Sequence, residues 1–344
     1  MRNRHEELSP RETEGKFNPE YYRMVLDGLC NDAGVDVLFH AVVYDVQREN
    51  RNIKKINVIS GSEKINIEAD FFIDATGDGN LFYMAGCDFV LGREDDNLCQ
   101  PMTTCFRMCG VDIERLNEDR LKLQEKYKEQ RTQGKIKNPR EDLLFFYGIG
   151  EGIVHFNTTR IVKHNPTNPV DVSRAEIEAR EQIVETVNFL KENSKAFEKA
   201  TLISIATDIG VRESRKLKGE HILTEHELKD CTRFEDSIAL GNYDIDIHNP
   251  EGSGTSHYYF KEGEYYTIPY RSLLPKEYEN LLVAGRCISA THEAQASIRI
   301  MPICACLGEA AGVAVAVAKN TEKNTHTLDI KEVQKKLKEN GGVL

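Results

Sequence analysis

The sequence lacks an excess of basic residues, a CxxC cysteine pair and an apolar leader segment. Its formal net charge of -11 argues against nonspecific attraction to nucleic acid or to an anionic membrane. The amino-terminal residues are polar (MRNRHEELSPRETEGKF) and contain no run that a secretory signal would need. These absences predict a cytoplasmic protein with no nucleic-acid or membrane partner.

The nine cysteines are scattered along the chain. A zinc knuckle, a thioredoxin-like site and a ferredoxin-type cluster all need CxxC pairs, and the sequence contains none. The odd number of cysteines, without a secretory signal, indicates reduced thiols. We interpret Cys304/Cys306 and Cys105/Cys109 as buried small side chains rather than redox dithiols or cluster ligands. The sequence therefore predicts no metal site, and its cysteine spacing does not support an iron–sulfur cluster.

The longest apolar run, at residues 300–318, contains Glu309 and two glycines and is built mainly from small residues. A membrane span rarely carries a carboxylate near its centre, so the run is predicted to be a buried helix. Pro302 is expected to open this helix, because proline suits the first turn.

The chain has 344 residues, of which 40% are hydrophobic, so it can form one large domain or two ordinary ones. Asn18 and Pro19 predict the start of a helix, and Gly34 predicts its end. Strand-like runs follow at residues 35–44, 53–59 and 64–69. Further along, residues 113–130 are predicted to form a charged helix, and a capping box that begins at Ser173 predicts another helix through Asn193.

Two buried strands end in glycine-containing turns, IDATGDG at 73–79 and LLVAGRC at 281–287. Glycine at such a position lets the backbone approach a flat or phosphorylated ligand. Either turn alone is a weak signal, because βα turns often contain glycine for steric reasons only.

Longer segments make the signal specific. The segments are EGKFNPEYYRMVLDGLCNDAGVDVLFHAVVYDV, ADFFIDATGDGNLFYMAG, TDIGVRESRKLKGEHILTEHEL and IPYRSLLPKEYENLLVAGRCISATHEAQASIRIMPICACLGEAAGVAVA. In this order they resemble the FAD-dependent oxidoreductase family, which is related to the flavin subunits of heterodisulfide reductases and, more distantly, to fumarate reductases. The resemblance covers essentially the whole chain and does not specify a substrate.

The resemblance implies an α/β, Rossmann-like FAD domain of the glutathione-reductase type, with an inserted α+β domain. The expected domains are 1–94 plus 271–320 for FAD binding, 95–270 for the inserted substrate domain and 321–344 for a helical tail. Such proteins begin with a βαβ unit whose GxGxxG turn holds the FAD pyrophosphate. No GxGxxG occurs here. We therefore expect an N-terminally incomplete FAD domain, with a separate chain as a candidate partner that supplies the missing unit.

The resemblance also implies positions for the cofactor. The turn after the first glycine-ended strand would lie beside the adenosine side of FAD, and Gly285 and Arg286 near the ribityl chain or pyrophosphate. The helix that Pro302 opens would direct its partly positive end at the flavin ring. The expected cofactor residues are Ala75, Thr76, Gly77, Asp78, Gly79, Gly285, Arg286, Met301, Pro302 and Ile303.

Candidate substrate residues are fewer. Arg212 and Arg215 would share one face of a helix and could clamp a carboxylate or phosphate. An ordinary solvated ion-pair surface is an equally good interpretation, because Glu213 and Lys216 stand beside them. His292 and Arg299 precede the apolar helix and are candidates for proton transfer and for polarising a carbonyl group.

Three functions are compatible with these patterns. The first is a flavoenzyme that passes a hydride or electron pair between a small-molecule substrate and flavin N5. The second is a flavin-free remnant with at most a binding role. The third is a non-redox lyase or isomerase on the same scaffold.

Overall fold

The computed structural model describes residues 17–344, which form two compact units. The described part of the first unit comprises 17–39, Met102–Ile161 and Ser173–Gly210. The second unit comprises His40–Pro101, Val162–Val172 and Val211–Leu344. The bounds of these units differ from the predicted domain bounds. Residues 211–270, which were expected in the inserted domain, group with the second unit. The reason is long-range strand pairing, which the sequence pattern does not reveal.

The first unit is a four-stranded antiparallel sheet with helices. Its strand order is β7-β8-β6-β9. Phe106 and Phe156 stack within its core, with ring centroids 4.7 Å apart, and both are almost fully buried. The elements are α1 (Pro19–Asp32), β6 (Phe106–Cys109), α3 (Ile113–Thr132), β7 (Phe145–Tyr147), β8 (Val154–Phe156), most of α4 (Pro169–Asn193) and β9 (Thr201–Ile205).

The second unit is built from short sheets around one apolar core. A three-stranded antiparallel sheet has the order β1-β2-β3, and further antiparallel pairs are β5 with β10, β11 with β14 and β12 with β13. Its strands are β1 (Ala41–Glu49), β2 (Asn52–Ser60), β3 (Glu63–Glu68), β4 (Phe72–Asp74), β5 (Phe89–Leu91), β10 (Arg215–Leu217), β11 (Ser237–Gly241), β12 (Ile245–His248), β13 (Thr255–Tyr258), β14 (Tyr266–Pro269) and β15 (Leu281–Val283). Its helices are α2 (Asn80–Ala85), α5 (Glu225–Lys229), α6 (His292–Ile298), α7 (Met301–Asn320) and α8 (Ile330–Glu339).

The strands β4 and β15 form a parallel pair in this unit. Leu281 lies opposite Phe72, and Val283 lies opposite Asp74. All three residues of β15 are buried, because a parallel pair needs cover on its faces. The two glycine turns found in the sequence therefore leave the same end of neighbouring strands.

Helix α7 fits the prediction of a helix opened by Pro302, with proline in its first turn. Among the described residues it is the one helix long and apolar enough to cross a membrane, and 39% of its most apolar window is buried. Leu307, Ala311 and Ala314 belong to the core of the second unit.

The capping-box prediction at Ser173 was wrong. Helix α4 begins at Pro169, and the side chain of Asn168 accepts hydrogen bonds from the amides of Val170 and Asp171. An asparagine cap followed by proline is a complete start signal, so Ser173 lies inside the helix. The predicted strand at 35–44 begins only at Ala41.

Candidate functional site

The turn after β4 is held by one buried carboxylate. Asp74 is 1% exposed, and its Oδ1 accepts hydrogen bonds from the amide and hydroxyl of Thr76, at 3.0 and 2.7 Å. Its Oδ2 accepts from the amide of Phe82 at 2.9 Å, which ties the turn to helix α2. The carboxylate thus satisfies amides that the turn would otherwise leave without partners.

The two glycines of this turn have different neighbours. Gly79 has φ +64°, and a Cβ there would lie 2.2 Å from the ring of Phe82. Gly77 has φ +77°, and a Cβ there would lie 2.8 Å from the guanidinium of Arg286. Gly79 is therefore required by packing, whereas Gly77 allows a side chain from the second glycine turn to lie against the backbone.

An ion pair connects the two turns. Nη1 of Arg286 lies 2.9 Å from Oδ1 of Asp78, and the hydroxyl of Ser214 donates to the same oxygen at 2.7 Å. Arg215 donates to the carbonyl of Asp78 at 3.1 Å. The sequence predicted that Asp78 and Arg286 face a common ligand. Their direct contact, which brings the turns together, was not foreseen.

Gly285 differs from Gly77 and Gly79 because it faces open space. It has φ +87°, and no atom lies within 4 Å of the position that a Cβ would occupy. The turn stays attached to the sheet, since the amide of the preceding Ala284 donates to the carbonyl of Asp74 at 2.9 Å. A flat ligand could approach the Gly285 backbone closely.

The amino-terminal end of α7 has no side-chain cap. Its N-cap residue is Ile300, and the first intrahelical hydrogen bond runs from the amide of Cys304 to the carbonyl of Ile300, at 2.9 Å. The amides of Met301 and Ile303 precede that bond, and Pro302 has no amide proton to donate. Met301 is 56% exposed, while the side chain of Ile303 is buried in the core. Ile303 can therefore contribute its backbone but not its side chain.

The side chain of Cys304 places this first turn near two arginines. Burial raises the pKa of the Cys304 thiol, and the positive charges of Arg286 and Arg299 oppose that rise. The helix end, the Gly285 turn and Arg286 all belong to the second unit.

His292 belongs to a buried ionic cluster. Glu213 and Lys216 are both fully buried, and His292 is 4% exposed. Oε1 of Glu213 lies 2.5 Å from Nζ of Lys216, and Nδ1 of His292 lies 2.8 Å from Oε2. Lys216 also donates to the carbonyl of Gly92 at 2.7 Å. Burial disfavours the Glu213 carboxylate, but the His292 hydrogen bond and the Lys216 charge outweigh it and lower its pKa.

This cluster extends through two buried glutamines. The backbone amide of Gln100 donates to the Glu213 carboxylate at 3.0 Å, and the side-chain amide of Gln100 donates to the side-chain oxygen of Gln295 at 3.2 Å. Gln295 in turn donates to the carbonyl of Arg212 at 2.8 Å. Glu213, Lys216, Gln100 and Gln295 were not predicted as site residues. The sequence segment VRESRK suggested a solvated surface for the first two, whereas both are enclosed.

Arg299 lies in a second polar cluster, around Asp246. Its Nη2 is 3.1 Å from Oδ2 of Asp246, and Nε2 of His248 is 3.2 Å from the same oxygen. Burial opposes ionisation of Asp246, but His248 and Arg299 outweigh it and lower its pKa to about 2. Burial also lowers the pKa of His248 to about 4, although the hydrogen bond between His248 and the Asp246 carboxylate acts in the opposite direction. The alternation DIDIH carries the sequence signal for this cluster, because a strand places Asp246 and His248 on one face.

The predicted arginine clamp does not form. Arg215 lies in β10, opposite Leu91 of β5, so residues 212 and 215 do not have helical spacing. The Arg215 guanidinium lies 4.0 Å from the ring centroid of Tyr83. Arg212 donates to the carbonyl of Pro101. Residues three apart in an extended segment point to opposite faces, which separates the two guanidinium groups.

A large cavity of the second unit lies elsewhere. It has a volume of about 930 Å³ and is lined by residues that precede β4 and β15, among them Asp70 and Asn280. Ligands of open α/β sheets bind at the carboxyl ends of the strands, which is the opposite edge. The described residues include no group of three or more His, Cys, Asp or Glu that could hold a metal ion.

Comparison with known families gives the class. The family model for FAD dependent oxidoreductases matches residues 1–337. The chain belongs to the FAD dependent oxidoreductase family. No match was found among the curated proteins.

Several solved structures are similar to this chain. A geranylgeranyl bacteriochlorophyll reductase-like protein from Thermoplasma acidophilum has 12% sequence identity and a TM-score of 0.44; the match covers 96% of this chain and 62% of that one. A myxobacterial FAD-dependent chondrochloren halogenase has 12% identity and a TM-score of 0.41, with 92% and 54% covered. L-proline dehydrogenase from P. horikoshii has 11% identity and a TM-score of 0.36, with 96% and 62% covered. The chain thus spans between half and two thirds of the length of these proteins.

The residues present fit part of an FAD site. Gly285 leaves an open backbone surface, and the uncapped end of α7 offers amide protons and a partial positive charge to an electron-rich ring edge. For the pyrophosphate the sequence provides no GxGxxG turn. The residues that fit an FAD site are therefore limited to Gly77, Gly285 and the amino-terminal end of α7.

Proposed function

We propose that this chain supplies the ring-facing half of an FAD site in an oxidoreductase that acts on a small molecule. The supporting observation is Gly285. It leaves the carboxyl end of β15 with φ +87° and open space above it, beside a parallel strand that ends in a second glycine turn. A helix end without a side-chain cap lies in the same unit. FAD, when bound, would supply hydride or electron-pair transfer.

The residues divide into three roles. Gly285 would let the backbone approach the cofactor, Gly77 would let Arg286 lie against the neighbouring turn, and the amides of Met301 and Ile303 would stabilise negative charge on the cofactor. Pro302 would preorganise that first turn without competing for an acceptor. Ala75, Thr76, Asp78 and Gly79 would shape the neighbouring turn, and Arg286, already paired with Asp78, would hold it against the Gly285 segment.

We assign positioning roles to His292 and Arg299. The Nδ1 atom of His292 is engaged with Glu213, and the ring is 4% exposed, which favours a fixed imidazole over one that exchanges protons with substrate. Arg299 is held by Asp246. The guanidinium of Arg215 donates to the carbonyl of Asp78 and fixes that turn, whereas the backbone carbonyl of Arg212 accepts a hydrogen bond from Gln295.

We also propose that polypeptide outside this sequence completes the phosphate site. Within residues 17–344, β4 pairs only with β15, so its other edge can accept a further parallel strand. A βαβ unit with a GxGxxG turn would satisfy that edge and supply the phosphate contacts. The described cysteines are all free thiols, which supports a reducing, cytoplasmic setting for the assembly.

Flavin titration of the purified chain tests the site. We expect weak binding of FAD, because the main phosphate contacts are absent, and a Gly285→Trp variant should weaken it at least about tenfold by filling the open space. Absorbance and flavin fluorescence would report the binding. A non-redox lyase or isomerase would instead turn over substrate without bleaching flavin absorbance.

Gly263→Trp is the matched control. Gly263 has φ +82° and also has no atom near its Cβ position, so both substitutions carry similar backbone strain. Equal FAD affinity for the two variants, or no binding by the unaltered chain up to about millimolar FAD, would refute the assignment.

A further inference from the structure

The first unit has a groove on the face of its sheet opposite the aromatic core. Two adjoining cavities, of about 460 and 300 Å³, share Pro19, Arg107 and His155. Arg107 of β6 pairs with His155 of β8, which pairs with Phe146 of β7, so the three side chains form a row on one face. We call these two cavities the Arg107 groove.

The two polar groups at the centre of the groove have unused hydrogen-bonding atoms. Nε of Arg107 and Nδ1 of His155 are buried and have no hydrogen-bond partner among residues 17–344. A buried donor left unpaired is destabilising, so such groups in a folded protein call for an explanation. Burial and the charge of Arg107 both lower the pKa of His155.

The ion pair between Arg107 and Glu20 is weak. Nη1 of Arg107 is 3.6 Å from Oε1 of Glu20, and Glu20 also pairs with Arg23 at 3.2 Å. The Glu20 side chain is 54% exposed. A solvated carboxylate at that distance contributes little, and a ligand anion could replace it.

The smaller cavity adds an apolar wall. Beyond the shared residues it is lined by Phe17, Phe146, Tyr147 and Ile149. Phe146 is 49% exposed, and its ring centroid lies 6.4 Å from that of His155. An apolar cavity with convergent polar groups at one end is the usual design of a small-molecule site.

We propose that the Arg107 groove binds a small carboxylate that carries an aromatic-sized apolar body. The carboxylate receives Nη–H groups of Arg107, since a guanidinium binds carboxylates through charge-assisted hydrogen bonds. The apolar body lies against Phe146 and Tyr147. This site lies within the first unit and does not depend on the proposed flavin site.

Phenylacetate is a suitable probe, with phenylacetamide as the uncharged match. We expect phenylacetate to bind the full chain and to shift the ¹⁵N resonances of the His155 ring, with or without added FAD. Arg107→Met should weaken binding roughly 10- to 100-fold, as for a hydrogen bond to a charged group. Arg180→Met, which removes an exposed arginine of α4 outside the groove, should leave it unchanged.

A substitution at Glu20 gives an opposite, smaller effect. Glu20→Gln removes the competing carboxylate and should tighten phenylacetate binding by up to about fivefold. If Arg107→Met fails to fold, the comparison of phenylacetate with phenylacetamide on the unaltered chain decides the matter. Equal binding of the two probes, no shift at His155 at about 10 mM probe, or full affinity in a folded Arg107→Met variant would overturn the proposal. Loss of FAD binding alone would leave it intact.

Discussion

Two buried polar clusters, one in each unit, differ in how their hydrogen bonds are satisfied. In the second unit, Glu213, Lys216 and His292 are enclosed and satisfy one another, and Gln100 extends the cluster. In the first unit, Arg107 and His155 are largely enclosed, yet each keeps a buried nitrogen that has no partner among residues 17–344. A satisfied buried cluster fixes the positions of the elements that it joins, whereas an unsatisfied pair offers its hydrogen bonds to a ligand.

The glycines of the two turns also differ in whether they serve internal packing or leave open space. A side chain at Gly79 would collide with the ring of Phe82, so the glycine serves internal packing. A side chain at Gly285 would meet nothing within 4 Å. Sequence alone treats both as glycines after a strand, and only the environment separates a packing requirement from an open approach.

Lys216→Met is expected to have the largest effect on stability. It leaves the Glu213 carboxylate buried without its cation, and breaking a buried pair in this way costs about 3–5 kcal/mol. Urea denaturation of the full chain would measure the loss in free energy of unfolding. Lys261→Met is the control, because Lys261 is 87% exposed and pairs at 3.7 Å with Glu264. Similar stabilities for the two variants would mean that the cluster does not hold the unit together.

The sequence predicted those features that depend on local chemistry. The helix start at Asn18, the apolar helix that Pro302 opens and the buried strand before the second glycine turn were all confirmed, since caps, proline and short apolar runs act over a few residues. The glycine turns were found for the same reason. Their mutual contact through Arg286 could not be predicted, because it depends on the parallel pairing of β4 with β15, some 200 residues apart.

The errors also have physical causes. The spacing of Arg212 and Arg215 suggested a helix face, but pairing of β10 with β5 imposes an extended backbone on that segment. The enclosure of Glu213 and Lys216 follows from packing that charged sequence letters do not reveal. Arg107 and His155 were not identified at all, because they become neighbours only through the register of β6 and β8.

The pH dependence of stability should reflect the polar cluster around Asp246. The pKa of His248 is about 4 in the folded chain against an ordinary 6.5, because burial disfavours the imidazolium. Between these values the unfolded chain binds the proton and the folded chain does not, so stability falls as pH decreases from 6.5 toward 4. One such group contributes a slope of up to about 1.4 kcal/mol per pH unit.

Replacement of His248 by glutamine should flatten that slope. Urea denaturation at pH 7, 5.5 and 4.5 would measure it for both chains. His226→Gln, at an exposed histidine of α5, should retain the slope of the unaltered chain. If His248→Gln retained it as well, acid sensitivity would have to be assigned to other groups, such as His155, whose pKa is also lowered by burial.

Arg107→Met is expected to have the smallest effect on stability, within about 1 kcal/mol in either direction. Methionine keeps much of the apolar volume and removes a buried donor that has no partner in the described part of the chain, so the gain offsets the loss of the weak contact with Glu20. Measured beside Lys216→Met under the same conditions, it isolates the difference between a satisfied and an unsatisfied buried cation. A loss of about 3 kcal/mol or more would give Arg107 the same structural role as Lys216. The unpaired hydrogen-bonding groups of the groove would then serve the stability of the fold. The proposal that a carboxylate binds there would lose its support.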